Sequence, residues 1–172
     1  MKLKKIKRMV AVGTAILMTL SLAGCGIGSD SVKLGAAGVG GGYYAFSNAF
    51  AQIASSEDED LDFEVKATAG STANIRLLSD GYVDMAIAQA DLVDAAYNGT
   101  GATDKKRYRG YSAVASLYTE ACQIVVRSDS GIDSLDDLQG KKISVGEEES
   151  GTQRNAEQIL KMTGLAESLV DT

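Results

Sequence analysis

A short apolar run that ends in a bare glycine loop and opens a helix constrains this chain more than any other feature, and the pattern occurs three times. The first instance is Gly35-Ala36-Ala37-Gly38-Val39-Gly40-Gly41-Gly42-Tyr43-Tyr44, set between the apolar run 32–37 and a helical pattern near Phe46. Its glycines leave backbone N–H groups uncovered and let a ligand reach them at the positive end of a helix dipole. The stretches Gly70-Ser71-Thr72-Ala73-Asn74 and Ser150-Gly151-Thr152-Gln153 repeat the device. Strand and helix alternating in this way predict an α/β fold with a parallel sheet and right-handed crossovers. In open sheets of that kind ligands lie beyond the carboxyl ends of the strands, where all three loops must fall. One such loop is only what any strand-to-helix turn requires; three together point to a small-anion site.

Between these loops the periodicities place the elements. Phe46, Ala49, Phe50, Ile53 and Ala54 have the spacing of one buried helix face, ended by the acidic run Glu57-Asp58-Glu59-Asp60. That run lacks the spaced ligands and central glycine of a calcium loop and reads as a solvated turn. Residues 62–68 alternate like a strand, and Ser71 caps a helix carrying Ile75 and Leu78 that stops at Gly81. A third strand over 84–89 leads to a helix capped by Asp91 and ended by Asn98-Gly99. Two extended apolar runs follow, 111–118 and 121–127, and the break between them predicts a domain boundary near 118–121. A further strand over 141–146 precedes a helix opened by a capping box of Ser150 and Gln153.

The candidate ligand contacts are therefore Gly41, Gly42, Gly70, Ser71, Thr72, Asn74, Ser150, Gly151 and Thr152 in the loops. Tyr43 and Tyr44 are read as an aromatic wall beside the first loop, or as core. Gln89, Asp91, Tyr118 and Glu120 stand at strand ends; for Gln89 and Asp91 helix capping is the competing role. Glu147-Glu148-Glu149 is read as an exposed loop.

The first eight residues carry five basic side chains and are followed by an uncharged run from Met9 to Leu22, which ends in Leu22-Ala23-Gly24-Cys25. This is an export signal. The run is shorter than the ~20 residues that cross a bilayer, and Leu-Ala-Gly-Cys matches the bacterial lipobox, so residues 1–24 are expected to be removed and Cys25 lipidated. Residues 25–31 then form a small-residue tether. Loss of residues 1–24 takes the net charge from −6 to −11, which disfavours nucleic acid as a partner. Cys122 has no second cysteine left to pair with and is expected to be a buried small apolar side chain.

The chain has no histidine, which excludes imidazole-based triads and His-ligated metals. The glycine loop lacks the third glycine of a dinucleotide fingerprint, and there is no Gly-Lys-Ser/Thr of a P-loop. No metal site or cofactor is expected, and no paired base and nucleophile stands out, so the expectation is a binding protein and not an enzyme.

Taken in order, Gly40-Gly41-Gly42-Tyr43-Tyr44, Ala67-Thr68-Ala69-Gly70-Ser71-Thr72-Ala73-Asn74, Leu77-Leu78-Ser79-Asp80-Gly81-Tyr82-Val83-Asp84, Ala88-Gln89-Ala90-Asp91, Ala95-Ala96-Tyr97-Asn98-Gly99, Leu117-Tyr118-Thr119-Glu120, Leu138-Gln139-Gly140-Lys141 and Ser150-Gly151-Thr152 resemble the TAXI-type solute receptors of tripartite ATP-independent periplasmic (TRAP) transporters. The resemblance runs from about residue 32 to the end. It implies a two-lobe, type II periplasmic-binding-protein-like fold, with lobe 1 over 32–118 and the start of a truncated lobe 2 over 119–172. It further implies capture of a small carboxylate-bearing solute, an amino acid or organic acid, for delivery to a polytopic TRAP permease by a receptor lipid-anchored to the outer face of the bacterial cell membrane. Glu147 to Glu149 stand where small residues are usual in the family, which implies discrimination against dianions. The receptor of an ATP-driven importer or a sensor input domain shares the fold and is the alternative. An exported enzyme with Glu120 or Asp91 as base is the reading from another class.

Overall fold

The computed structural model describes residues 31–101 and 105–165. The expected signal peptide, the tether through residue 30 and Cys25 lie outside the described residues. Three parallel strands, β1 (Val32–Gly35), β2 (Phe63–Lys66) and β3 (Met85–Ala86), lie in the order β2-β1-β3. β1 pairs with β2 from Val32↔Phe63 to Gly35↔Lys66, and with β3 at Leu34↔Met85 and Gly35↔Ala86. Helices α1 (Gly42–Glu57), α2 (Ser71–Ser79) and α3 (Ala90–Asn98) alternate with them, and a 3-10 turn (Leu135–Leu138) precedes α4 (Gly151–Met162). The parallel α/β arrangement read from the alternation is therefore present, with strands shorter than the apolar runs suggest.

The core is small. Leu34, Ala36, Ala73, Ile75, Val83 and Ile87 are buried around the strand ends, and Leu138 and Leu160 are buried in the later segment. Asn74, fully buried, ties the first group together: its Nδ2 donates to the carbonyls of Gly35, Ala36 and Ile87 at 3.3, 2.5 and 2.8 Å, and its Oδ1 accepts from the Thr68 hydroxyl at 2.7 Å. Carbonyls at the ends of β1 and β3 thus share one side-chain donor, and for Ile87 it is the donor that satisfies the carbonyl.

Three sequence expectations give way here. The α1 stripe is only partly covered: Phe50 meets Phe63 edge-on at 5.4 Å and Phe46 lies 6.4 Å from Phe50, but Ile53 is 63% exposed and the fully buried residue of α1 is Ser47. A four-residue β2 is too short to cover four helical turns. Second, α2 is capped by Gly70 and not by Ser71, because φ +123 at residue 70 is open only to glycine and the Ser71 hydroxyl is engaged elsewhere. Third, the runs 111–118, 121–127 and 141–146 form no strand among the described residues, apart from an isolated bridge at Lys142. A strand exists only through a neighbour that takes its N–H and C=O groups, and these runs join no ladder among the described residues. Val114 and Val125 are each 86% exposed.

Helix ends otherwise follow the sequence. Gly81 and Gly99 take the left-handed conformation after α2 and α3, with φ +74 and +70. Arg109 is anchored: its guanidinium stacks on Tyr97 at 3.5 Å, and its backbone exchanges hydrogen bonds with Ser79.

Candidate functional site

The glycine loop delivers bare donors to the start of α1. Gly40 has φ +94, the Gly41 N–H donates to the Gly38 carbonyl at 3.0 Å, and a β-carbon on Gly41 would lie 3.1 Å from that carbonyl. The cap, Gly41, has no side chain, and the first turn has no acidic residue. The N–H groups of Gly42, Tyr43 and Tyr44 consequently meet no acceptor among the described residues. Gly42 faces open space.

At the start of α2 the N–H groups of the second and third residues are already taken. The N–H groups of Thr72 and Ala73 donate to the carbonyl of Glu149 at 3.1 and 3.3 Å, and the Gly70 N–H donates to the Thr68 hydroxyl. Ser71, nearly fully buried, accepts from the Gln89 N–H at 3.1 Å. Glu149 adopts a left-handed φ of +62, and its carboxylate accepts two hydrogen bonds from Arg76, at 3.2 and 2.7 Å. Those bonds, partly offset by desolvation, raise the Arg76 guanidinium above its ordinary pKa. The reading of Glu147 to Glu149 as an exposed loop is thereby corrected for Glu149, which is ion-paired and only partly exposed.

The third start, at α4, is open again. Ser150 accepts from the Gln153 N–H at 3.0 Å, but Gln153 Oε1 accepts from the N–H of Glu149 and not of Ser150, so the expected capping box is displaced by one residue. Gly151 is buried where a β-carbon would lie 1.6 Å from Gln89 Oε1, which is itself buried without a donor. The N–H groups of Gly151 and Thr152 meet no acceptor among the described residues.

The open starts of α1 and α4 face one cleft of about 1200 Å³. Of the residues read from the sequence, Gly41, Gly42, Tyr43, Gly70, Ser71, Gln89, Tyr118, Glu120, Ser150, Gly151 and Thr152 line it. The Tyr43 hydroxyl donates to Glu120 Oε2 at 2.8 Å; burial first, and then this bond, hold its proton well above the usual phenol pKa. Burial followed by the charge of Glu120 raises Tyr118 as well, and the Tyr118 ring lies 6.2 Å from Phe46, joining the cleft wall to the aromatic row Phe46–Phe50–Phe63.

Four candidates fall outside the lining. Asn74 is the buried clamp at the strand ends, so its polarity serves the fold. Thr72 contributes its N–H to Glu149. Tyr44 is half-buried, with its carbonyl taken by Asn48 Nδ2 at 2.7 Å. Asp91 does not cap α3: Gln89 occupies the cap position through its backbone, and Asp91 sits exposed in the first turn, where its charge favours the helix dipole. Conversely, Cys122 is exposed and lines the cleft, against the expectation of a core thiol. The apolar run around it forms no strand, and so it has no sheet face to be buried on. Arg76 carried no local signal, because its importance lies in a contact 73 residues away.

Among the described residues no three His, Cys, Asp or Glu side chains gather in a way that would hold a metal ion, and no helix is long and apolar enough to cross a membrane. A family profile described as NMT1-like matches residues 34–172, most of the chain. The chain belongs to the NMT1-like family. NMT1-like proteins are solute-binding proteins of the periplasmic type, so an extracytoplasmic role and a small-molecule partner follow for this chain. The α/β fold and the parallel sheet of this NMT1-like chain are compatible with a periplasmic-binding-protein architecture.

Proposed function

We propose that this protein is a lipid-anchored receptor of the TAXI kind, which captures a small carboxylate-bearing solute and hands it to a TRAP permease without covalent chemistry. The observation that carries the solute class is the pair of open helix starts, α1 and α4, on one cleft: uncapped N–H groups at a dipole's positive end are an anion site. A carboxylate has the charge such donors favour. Lipidation at Cys25 and delivery to a permease rest on the Leu-Ala-Gly-Cys motif and on the TAXI resemblance. The absence of histidine and a Tyr43 hydroxyl that keeps its proton while donating a hydrogen bond to Glu120 favour binding over catalysis.

The magnitudes make enclosure necessary. Each helix start contributes roughly 0.3–1 kcal/mol, up to ~2 when partly buried, whereas micromolar affinity requires about 8 kcal/mol. Two starts fall short, so the remainder must come from a second lobe closing over the solute. The exposed apolar run 121–127 supports the start of a lobe 2 after the hinge, since strands of this composition require partners. Lobe 1 then spans 32–118, and the hinge lies near 118–121.

A thermal-shift screen of the full-length protein against amino acids and dicarboxylates tests the proposal. A solute at one hundred times its dissociation constant adds about 2.7 kcal/mol, a rise of roughly 5–10 °C for a domain of this size. Gly42→Val places a branched side chain over the donors of α1 without a clash at its β-carbon, and is expected to abolish that rise while leaving the unliganded melting temperature in place. No stabilising solute, or an unchanged rise in Gly42→Val, refutes the site.

A further inference from the structure

We propose that Arg76 is a positioning residue that, through Glu149, holds the start of α4 against the start of α2; the inference rests on the solute-binding reading above. Arg76 does not line the cleft. Its guanidinium grips the Glu149 carboxylate with two hydrogen bonds, at 3.2 and 2.7 Å, while the carbonyl of the same residue takes the N–H groups of Thr72 and Ala73. Glu149 is therefore held at both ends by α2, and it is held in a left-handed conformation, φ +62, that a side chain disfavours. Such a conformation persists where the surroundings over-determine it.

The residue after Glu149 is Ser150, and with Gly151 and Thr152 it forms the open start of α4. The fit is close on the far side too. A β-carbon on Gly70 would lie 3.3 Å from the Ser150 Cα, and one on Gly151 would strike Gln89. The direction of the Gly151 and Thr152 N–H groups is thus inherited from where Glu149 is anchored. An ordinary half-exposed ion pair contributes little by itself; this one acts by aiming backbone donors that a solute uses. It also explains why the start of α2 is no anion site: Glu149 already occupies it.

Amide hydrogen exchange on the full chain, without solute, reads the anchor directly. First-turn amides have no partner within the helix, so slow exchange at Thr72 and Ala73 reports the Glu149 carbonyl. Arg76→Ala and the milder Arg76→Gln are expected to speed both amides by about tenfold or more, and the exchanged pair Arg76→Glu with Glu149→Arg to restore protection; about tenfold is the loss of 1.4 kcal/mol. Calorimetry with the best-binding probe from an L-amino acid and dicarboxylate panel is expected to show affinity about fivefold weaker in the single variants and recovered in the exchanged pair. Unchanged exchange in both single variants overturns the anchor, and faster exchange with unchanged affinity overturns the positioning role. If the wild-type chain binds no probe, the receptor reading fails by itself, and the exchange data still decide whether Arg76 holds the two helix starts together.

Discussion

Replacing Asn74 by alanine separates a residue that serves the solute from one that serves the fold. The amide donates to three carbonyls, but two of them keep another donor: Gly35 O accepts from the Ile87 N–H at 3.1 Å and Ala36 O from the Thr68 hydroxyl at 3.1 Å. The Ile87 carbonyl, at 2.8 Å from the amide, is left with no other donor among the described residues. Stranding one buried carbonyl costs ~1–3 kcal/mol, and the remaining bonds are worth about 1 kcal/mol net, so Asn74→Ala is expected to lose roughly 2–4 kcal/mol. Against a typical total of ~5–15 kcal/mol that is a large share. Urea unfolding measures it as a lower midpoint at unchanged slope. Asn74→Asp keeps the shape but turns an acceptor toward the carbonyls, and is expected to cost more. A loss below about 0.5 kcal/mol for Asn74→Ala would refute the clamp, and weakened solute affinity at unchanged stability would return Asn74 to the ligand site.

Three further outcomes follow from the cleft. The raised Tyr43 pKa means that the folded state holds this proton more tightly than the unfolded chain, so its contribution is fully present below about pH 10 and is lost as pH rises through the folded value. Tyr43→Phe is therefore expected to flatten the fall in stability above about pH 10, measured by urea midpoints against pH; an identical fall in both proteins would reject the burial argument. Cys122, exposed on the cleft wall, is expected to react with a thiol reagent in the native protein as fast as in urea, and strong native protection would refute its exposure. Gly151→Ala drives a β-carbon into Gln89 Oε1 and within 3.1 Å of Ser71 Oγ. It is expected to speed exchange at the Gln89 amide, whose acceptor is that Ser71 hydroxyl, and unchanged exchange would mean that Gln89 simply swings aside.

Local signals sufficed for the elements of residues 32–99. The alternation, the glycines that end α2 and α3, and the bare start of α1 follow from residues adjacent in the chain, and the structure keeps all of them. The candidate site was legible in outline because glycine and small hydroxyl residues open the helices, and eleven of the residues read from the sequence line one cleft. Local signals did not show where three side chains find their partners. Ser71 looks like a cap, Asn74 like a ligand contact and Glu149 like a solvated charge. All three are engaged by residues at least six positions away: Ser71 by Gln89, Asn74 by Thr68 and two strand ends, Glu149 by Arg76.

By itself, then, the sequence determined the parallel α/β class of the fold and the elements of residues 32–99, because periodicity and glycine act over a few residues. Only the tertiary structure decided which helix starts are free. Three look alike in sequence, yet the carbonyl of Glu149 fills one and leaves two, since a backbone donor is available only where nothing folded from elsewhere in the chain has already reached it.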